Sequence, residues 1–159
     1  MTEKKLKYIQ YLEKFKDCPP SDFKEVDRDA YRWTQNPVTL NDFIPINIIG
    51  EPPARILDET DKMCMAYGLS MFDSLKNSID KYQKEYKKRR QHQREQFIKD
   101  KGNFIAFLKL SKNDGLADEP NKENFGHFTF HEYYKTELEK KVLNLYNIFL
   151  DNGEFNIQY

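Results

Sequence analysis

The chain has 159 residues, and its 26 basic and 26 acidic side chains balance to a net charge of zero. A chain of this length suits one domain spanning residues 1–159, which can bury roughly 70% of its unfolded surface without a cofactor or a metal. Balanced charge excludes a global attraction to nucleic acid or to a membrane surface. The sequence has no long apolar run, which excludes a membrane-spanning helix.

Cys18 and Cys64 are the only cysteines. Two cysteines so far apart are too few for a disulfide scaffold and have the wrong spacing for zinc. The N-terminal residues interleave apolar and charged side chains, which is not the pattern of a signal peptide. These observations predict reduced thiols and a cytoplasmic protein.

The first predicted element is an amphipathic helix over about residues 3–17. Apolar residues there lie three or four positions apart, as in Tyr8, Leu12 and Phe15. Cys18-Pro19-Pro20 ends this helix because proline cannot continue the hydrogen-bond ladder. Six of the seven prolines lie between Pro19 and Pro53, so residues 19–57 are predicted to be a long irregular segment.

The second predicted helix covers about residues 58–96. Its apolar side chains recur at intervals of seven and form a seam: Met65, Phe72, Ile79 and Tyr86. This seam is a candidate surface for a homo-oligomer. Helix-favouring composition continues to Lys101, and such a helix would be about 66 Å long, against a diameter of about 40 Å for a compact chain of this size. The helix must therefore break or protrude.

A small antiparallel sheet and a third helix are predicted for the rest of the chain. Strands are expected near residues 104–110, which are strongly apolar, and near 126–131, where polar and aromatic residues alternate. The first of these strands is a candidate partner for the second. Helical spacing of apolar residues returns over about 134–150. The fold class is therefore α+β, with helices packed on a small antiparallel sheet.

A basic segment follows the seam. Five of its cations are the candidate binding residues for a partner or for nucleic acid: Lys87, Lys88, Arg89, Arg90 and Arg94. Residues 87–96 contain no apolar side chain, so nothing in the sequence holds them to a core. Standing in water, they could neutralise the acids of a protein or the phosphates of a nucleic acid. A solvated helix with ordinary surface charge is the simpler alternative.

The irregular segment offers a second candidate surface. Trp33, Phe43 and Ile48 could dock a partner protein there, although the same side chains are also what a loop needs to cover a core. His127 and His131 would lie about 13 Å apart on one face of a strand, too far apart to share one metal ion. No metal site and no catalytic motif is predicted. An enzyme would need a site assembled from scattered residues: Arg32, His127, His131, Glu132 and Tyr134.

The sequence therefore favours a non-catalytic protein-interaction or accessory module of a multicomponent intracellular system. The first alternative is a nucleic-acid-binding protein that uses the basic helix over 81–101. The second is an enzyme with a site built from scattered residues. A protein partner is expected, and neither a membrane nor a cofactor is.

Overall fold

The computed structural model of the protein describes residues 4–157. Six strands form one antiparallel sheet: β1 (Arg28–Thr34), β2 (Leu69–Phe72), β3 (Phe104–Leu110), β4 (Gly115–Ala117), β5 (His127–Glu132) and β6 (Val142–Asn147). Their order across the sheet is β4-β5-β2-β1-β3-β6. Within the described residues, five α-helices accompany them: α1 (Ile9–Leu12), α2 (Ile46–Ile49), α3 (Thr60–Met65), α4 (Leu75–Lys88) and α5 (Gln91–Lys101). The protein is thus an α+β protein, as the sequence indicated.

Both faces of the sheet are covered. On the first face, Ala30 of β1 lies opposite Leu108 of β3 and packs in a cluster with Phe43. On the second face, Ile105 of β3 packs with Tyr82 of α4 and other aromatic side chains. Because side chains alternate along a strand, β1 and β3 contribute to both clusters. The sheet is therefore the middle layer of the protein.

The helices α4 and α5 cover the second face and carry the basic segment. The Trp33 indole stacks on Phe72 at 5.3 Å between ring centroids, and its Nε1 donates to the carbonyl of Ser78. The buried hydroxyl of Tyr82 donates to the carbonyl of Gly102 at 2.6 Å, which ties α4 to the residue that follows α5. These contacts fix both helices on the sheet.

The predicted helix over 3–17 is largely wrong. Residue 3 lies outside the described residues, and of residues 4–17 only the four of α1 are α-helical, because the chain before α1 bonds to the end of β5 instead. Leu6 forms a β-bridge with Tyr133, and the Lys7 amide donates to the carbonyl of Glu132 at 2.9 Å. Tertiary hydrogen bonds replace those of a short helix, which is marginally stable on its own.

The predicted helix over 58–96 is wrong as a continuous element, because β2 and two breaks divide it. At the first break, a Cβ atom on Gly68 would lie 2.6 Å from Cγ2 of Thr129, so the absent side chain lets β2 pair with β5. The Ser74 hydroxyl then accepts from the Asn77 amide at 3.1 Å and caps α4. Arg89 and Arg90 have extended backbone angles and separate α4 from α5. The helix breaks and does not protrude.

The predicted helix over 134–150 contains β6 instead. Leu145 packs on the first core cluster and Tyr146 on the second, since β6 adds to a sheet that is covered on both faces. Because half-buried side chains of β6 pack on both sides of the sheet, its apolar residues do not alternate regularly with polar ones and can fall at helical spacing. The strands near 104–110 and 126–131 exist, but β3 pairs with β1 and β6, while β5 pairs with β2 and β4.

The segment 19–57 is less irregular than predicted, because it holds β1, α2 and two short 3-10 turns, Leu40–Phe43 and Ala54–Ile56. The prediction of reduced thiols is also wrong. Cys18 and Cys64 form a disulfide with their Cα atoms 5.8 Å apart, which links the N-terminal segment to α3. Within residues 4–157, none of the helices combines the length and the apolar character needed to cross a membrane.

Candidate functional site

Two arginines of the basic segment fold back onto the protein. The guanidinium of Arg89 lies 4.4 Å from the ring centroid of Phe97, and that of Arg94 lies 4.8 Å from the ring centroid of Tyr86. Arg94 also donates to the last carbonyls of α4, those of Tyr86 and Lys87. We call the junction at Arg89 and Arg90 the elbow. Cation–π contacts on both sides of the elbow hold α5 against α4.

One carboxylate neutralises part of the charge near the elbow. Glu85 forms ion pairs with Lys81 at 3.2 Å, Lys88 at 3.2 Å and Arg89 at 3.3 Å. Burial raises the pKa of Glu85, but the hydrogen bonds from these three cations outweigh that effect and lower the pKa to about 2. The side chain is therefore ionised throughout the neutral and mildly acidic range. Three positive charges share one negative charge at this point.

The expectation that the whole basic segment stands in water is therefore corrected. Of the five predicted binding residues, Lys88, Arg89 and Arg94 have partners within the protein. Lys87 and Arg90 are exposed, and neither forms an ion pair within the part of the chain that the structure describes. Beside the elbow runs a groove of about 600 Å³, lined by Lys88, Arg89, His92, Gln93, Gln96, Phe97, Asp100 and Lys101.

The three residues of the predicted docking loop do not form an exposed surface. Trp33 belongs to β1 and packs against α4, Phe43 is buried in the first core cluster, and Ile48 is half-buried. Other side chains of the same segment face solvent instead. Ile46 is 42% exposed, Ile49 60% and Leu57 55%, and Leu40 is also exposed. The apolar surface of this segment thus lies beside the residues that the sequence singled out.

We call Ile46, Ile49 and Leu57 the aliphatic patch. Ile46 and Ile49 are three residues apart in α2, on one side of that turn. The turn is fastened to α3 by Asn47, whose amide donates to the carbonyl of Ala66 and whose side chain donates to that of Met63. Leu57 follows the 3-10 turn Ala54–Ile56, which packs on the same helix. The two turns that carry these side chains are therefore both held on α3.

Acidic residues lie close in sequence to the residues of the aliphatic patch. Glu51, Asp58 and Asp61 are exposed in the same stretch of chain, and none of them forms an ion pair among the described residues. Glu59 is paired with Lys62 at 3.0 Å. Arg55 is the remaining cation between Ile46 and Lys62. The patch is thus an apolar surface in an acidic setting. Sequence periodicity missed it because α2 has only four residues, although the flanking acids were visible.

The scattered residues of the enzyme alternative lie in different environments. His127 and His131 share one face of β5, Glu132 lies on the other face, and Tyr134 is exposed. Burial, then Lys81 and Arg32, lower the pKa of His127 to about 4, and its Nε2 lies 2.9 Å from Oγ of Ser70. Burial also lowers the pKa of His131 to about 4.

The carboxylate of Glu132 accepts from Lys7 at 2.9 Å, so it is occupied within the fold. Among residues 4–157, no three His, Cys, Asp or Glu side chains are grouped so that they could hold a metal ion. The arrangement around His127 is a cross-strand pair between a serine and a neutral imidazole. Neither histidine is hydrogen-bonded to a carboxylate within the described part of the chain.

The predicted oligomer seam is divided among three elements. Met65 lies in α3, Phe72 in β2, and Ile79 and Tyr86 in α4. Phe72 and Ile79 are buried in the protein's own core. These four residues therefore do not form one exposed stripe.

Comparisons of the chain with protein-family models, with curated proteins and with solved structures find no match.

Proposed function

We propose that the protein is a non-catalytic protein-interaction module, and that the aliphatic patch binds a segment of a partner that is both aliphatic and basic. The exposure of Ile49 at 60% and Leu57 at 55% carries this proposal. Single exposed aliphatic residues are common on protein surfaces, but three on turns packed against the same helix form a surface that a partner can cover.

Charge indicates the kind of partner. Glu51, Asp58 and Asp61 attract lysine and arginine side chains and repel acidic ones, so they favour a partner with cations beside its apolar residues. An amphipathic helix with leucines on one face and lysines at its margins has this chemistry. The role proposed for the patch needs no catalytic residue.

The test uses a fluorescent synthetic helix of leucine and lysine, with two comparison peptides in which glutamate replaces lysine or serine replaces leucine. Binding is measured by fluorescence anisotropy, and we expect only the first peptide to bind. The double variant Ile49→Ser/Leu57→Ser should weaken its binding about tenfold, because the interface loses apolar area. The matched control is Leu143→Ser, because Leu143 is 61% exposed on β6, away from the patch.

Neutralising the acids with Glu51→Gln, Asp58→Asn and Asp61→Asn should lower the affinity for the same peptide and reduce the salt dependence of its binding. Equal binding of the lysine and glutamate peptides would contradict the proposed partner chemistry. Unchanged binding by the Ile49→Ser/Leu57→Ser variant would contradict the proposed surface.

Nucleic-acid binding through residues 81–101 remains the alternative. It is favoured by Lys87 and Arg90, which are exposed and unpaired among the described residues. It is weakened by Arg89 and Arg94, whose guanidinium groups are used to hold the elbow. An enzyme remains the third candidate, and a homo-oligomer needs another surface than the divided seam.

The cytoplasmic location also stays a proposal, and the disulfide argues against it because such bonds persist mainly in oxidising compartments.

A further inference from the structure

The groove beside the elbow is a second feature, separate from the aliphatic patch. Its α5 wall consists of His92, Gln93, Gln96, Phe97, Asp100 and Lys101. These positions repeat at helical spacing and share one side of α5. Lys88 and Arg89, from the end of α4, form the opposite wall. The groove is therefore a concave surface whose two walls are held together by the elbow.

The charges that line the groove are mostly positive. Lys88, Arg89 and Lys101 are cations, and Asp100 is the one acid among the lining residues. The Asp100 carboxylate accepts from the side-chain amide of Gln96 at 2.7 Å. Lys101 forms no ion pair within residues 4–157. Glu85 offsets part of the charge of Lys88 and Arg89, and Lys101 remains without such a partner.

The setting of Lys101 shows that the positive charge is not fully compensated. Desolvation of its ammonium group lowers the pKa of Lys101 most, Arg32, Arg89 and Arg55 lower it further, and Asp100 raises it, although the residue as a whole is exposed. Of these arginines, Arg89 lines the groove together with Lys101, so two cations of the groove repel each other. Repulsion between like charges costs free energy in the fold, and a bound anion would remove that cost.

We infer that the groove binds a small anion with two or more phosphate groups, through Lys88, Lys101 and His92. Several cations spread along a groove of about 600 Å³ suit an extended polyanion better than a single phosphate. Phe97 offers no face for a nucleobase, because it is buried and Arg89 covers its ring at 4.4 Å. Recognition should therefore depend on the phosphates, whether they belong to a nucleotide or to free pyrophosphate.

Pyrophosphate is the probe, titrated into the intact protein and followed by the NMR signal of the Lys101 Cε atom. We expect saturable binding that raises the pKa of Lys101 by about one unit, because an anion favours the charged ammonium. K101Q should weaken binding at least fivefold. K87Q is the matched control, since Lys87 is exposed on α4 but does not line the groove. H92Q provides a second variant at an exposed position should K101Q fold poorly.

Two further arms separate the sources of phosphate. ATP should bind as pyrophosphate does and respond equally to K101Q, whereas a clear preference for ATP would overturn the inferred independence from the base. The second experiment measures the binding of a single-stranded oligonucleotide. If K87Q and K101Q weaken this binding equally and it depends steeply on salt, the site is a diffuse nucleic-acid surface and not the groove. Binding that leaves the Lys101 signal unmoved, or no binding at all, would overturn the inference. None of these outcomes depends on the aliphatic patch.

Discussion

His131 is a buried side chain whose Nε2 atom has no hydrogen-bond partner among the described residues. It is 3% exposed, and its ring packs against Phe23 at 5.4 Å between centroids. Burial lowers its pKa to about 4, below the ordinary value of 6.5. The folded protein therefore keeps this imidazole neutral, whereas the unfolded chain takes up a proton as the pH falls through 6.5.

The sign of this difference gives a prediction. As pH falls from 7 to 5, protons bind the unfolded state first, so His131 should lower the free energy of unfolding by about 2 kcal/mol. His131→Phe keeps a ring against Phe23 and should remove that part of the pH dependence in urea unfolding. His92→Gln is the control, since His92 is exposed on α5. A His131→Phe protein with the pH dependence of the wild type would contradict the argument.

At the scale of elements, the elbow converts a charged stretch into a packed helix pair. Arg94 combines a ring contact at 4.8 Å with hydrogen bonds to two carbonyls of α4. A planar guanidinium can place its face on a ring while its in-plane N–H groups donate, whereas an ammonium has no such face. Arg94→Lys should therefore lower the free energy of unfolding by about 1 kcal/mol and speed amide exchange in α5. Lys87→Gln should change either quantity little. An Arg94→Lys protein as stable as the wild type would show that the positive charge alone is sufficient at the elbow.

The elbow also shows what a sequence pattern can and cannot predict. The composition identified the helical character of residues 75–101, and Phe97 marked the return of an apolar group. The break at Arg89 and Arg90 was not predictable, because it depends on arginines that lie over rings from the facing helix. Hydrophobic periodicity depends on the apolar side chains alone, so it does not predict a contact between a cation and the face of an aromatic ring.

The sheet was predicted to the same partial extent. β3 and β5 were recognisable, since each is an uninterrupted apolar or alternating run. β1 was missed because it carries charged residues between proline-rich stretches, and β6 because apolar residues face both core layers. The sequence pattern also could not predict that Ile49 and Leu57 are exposed, because the packing of such short turns on α3 decides which of their side chains are buried.

At the scale of the whole molecule, the N-terminal segment is bridged at both ends to the strands of the sheet or the residues that follow them, and it is linked to α3 in between. Leu6 bridges to Tyr133, and Lys24 bridges to Ala117 at the outer strand β4. Between these bridges, the disulfide joins Cys18 to Cys64 in α3. A segment that makes only one turn of α-helix is thus ordered by contacts with distant parts of the chain.

The disulfide spans 46 positions of sequence, and closing a loop of that size restricts the unfolded chain by about 4 kcal/mol. Cys18→Ser/Cys64→Ala should lower the free energy of unfolding in urea by up to that amount. Reductant should destabilise the wild type similarly and leave the variant unchanged, because only the wild type has a bond to break. Alkylation of the protein freshly taken from its host adds the decisive comparison. Two modified thiols would support the cytoplasmic location, and two protected ones would place the folded protein in an oxidising compartment.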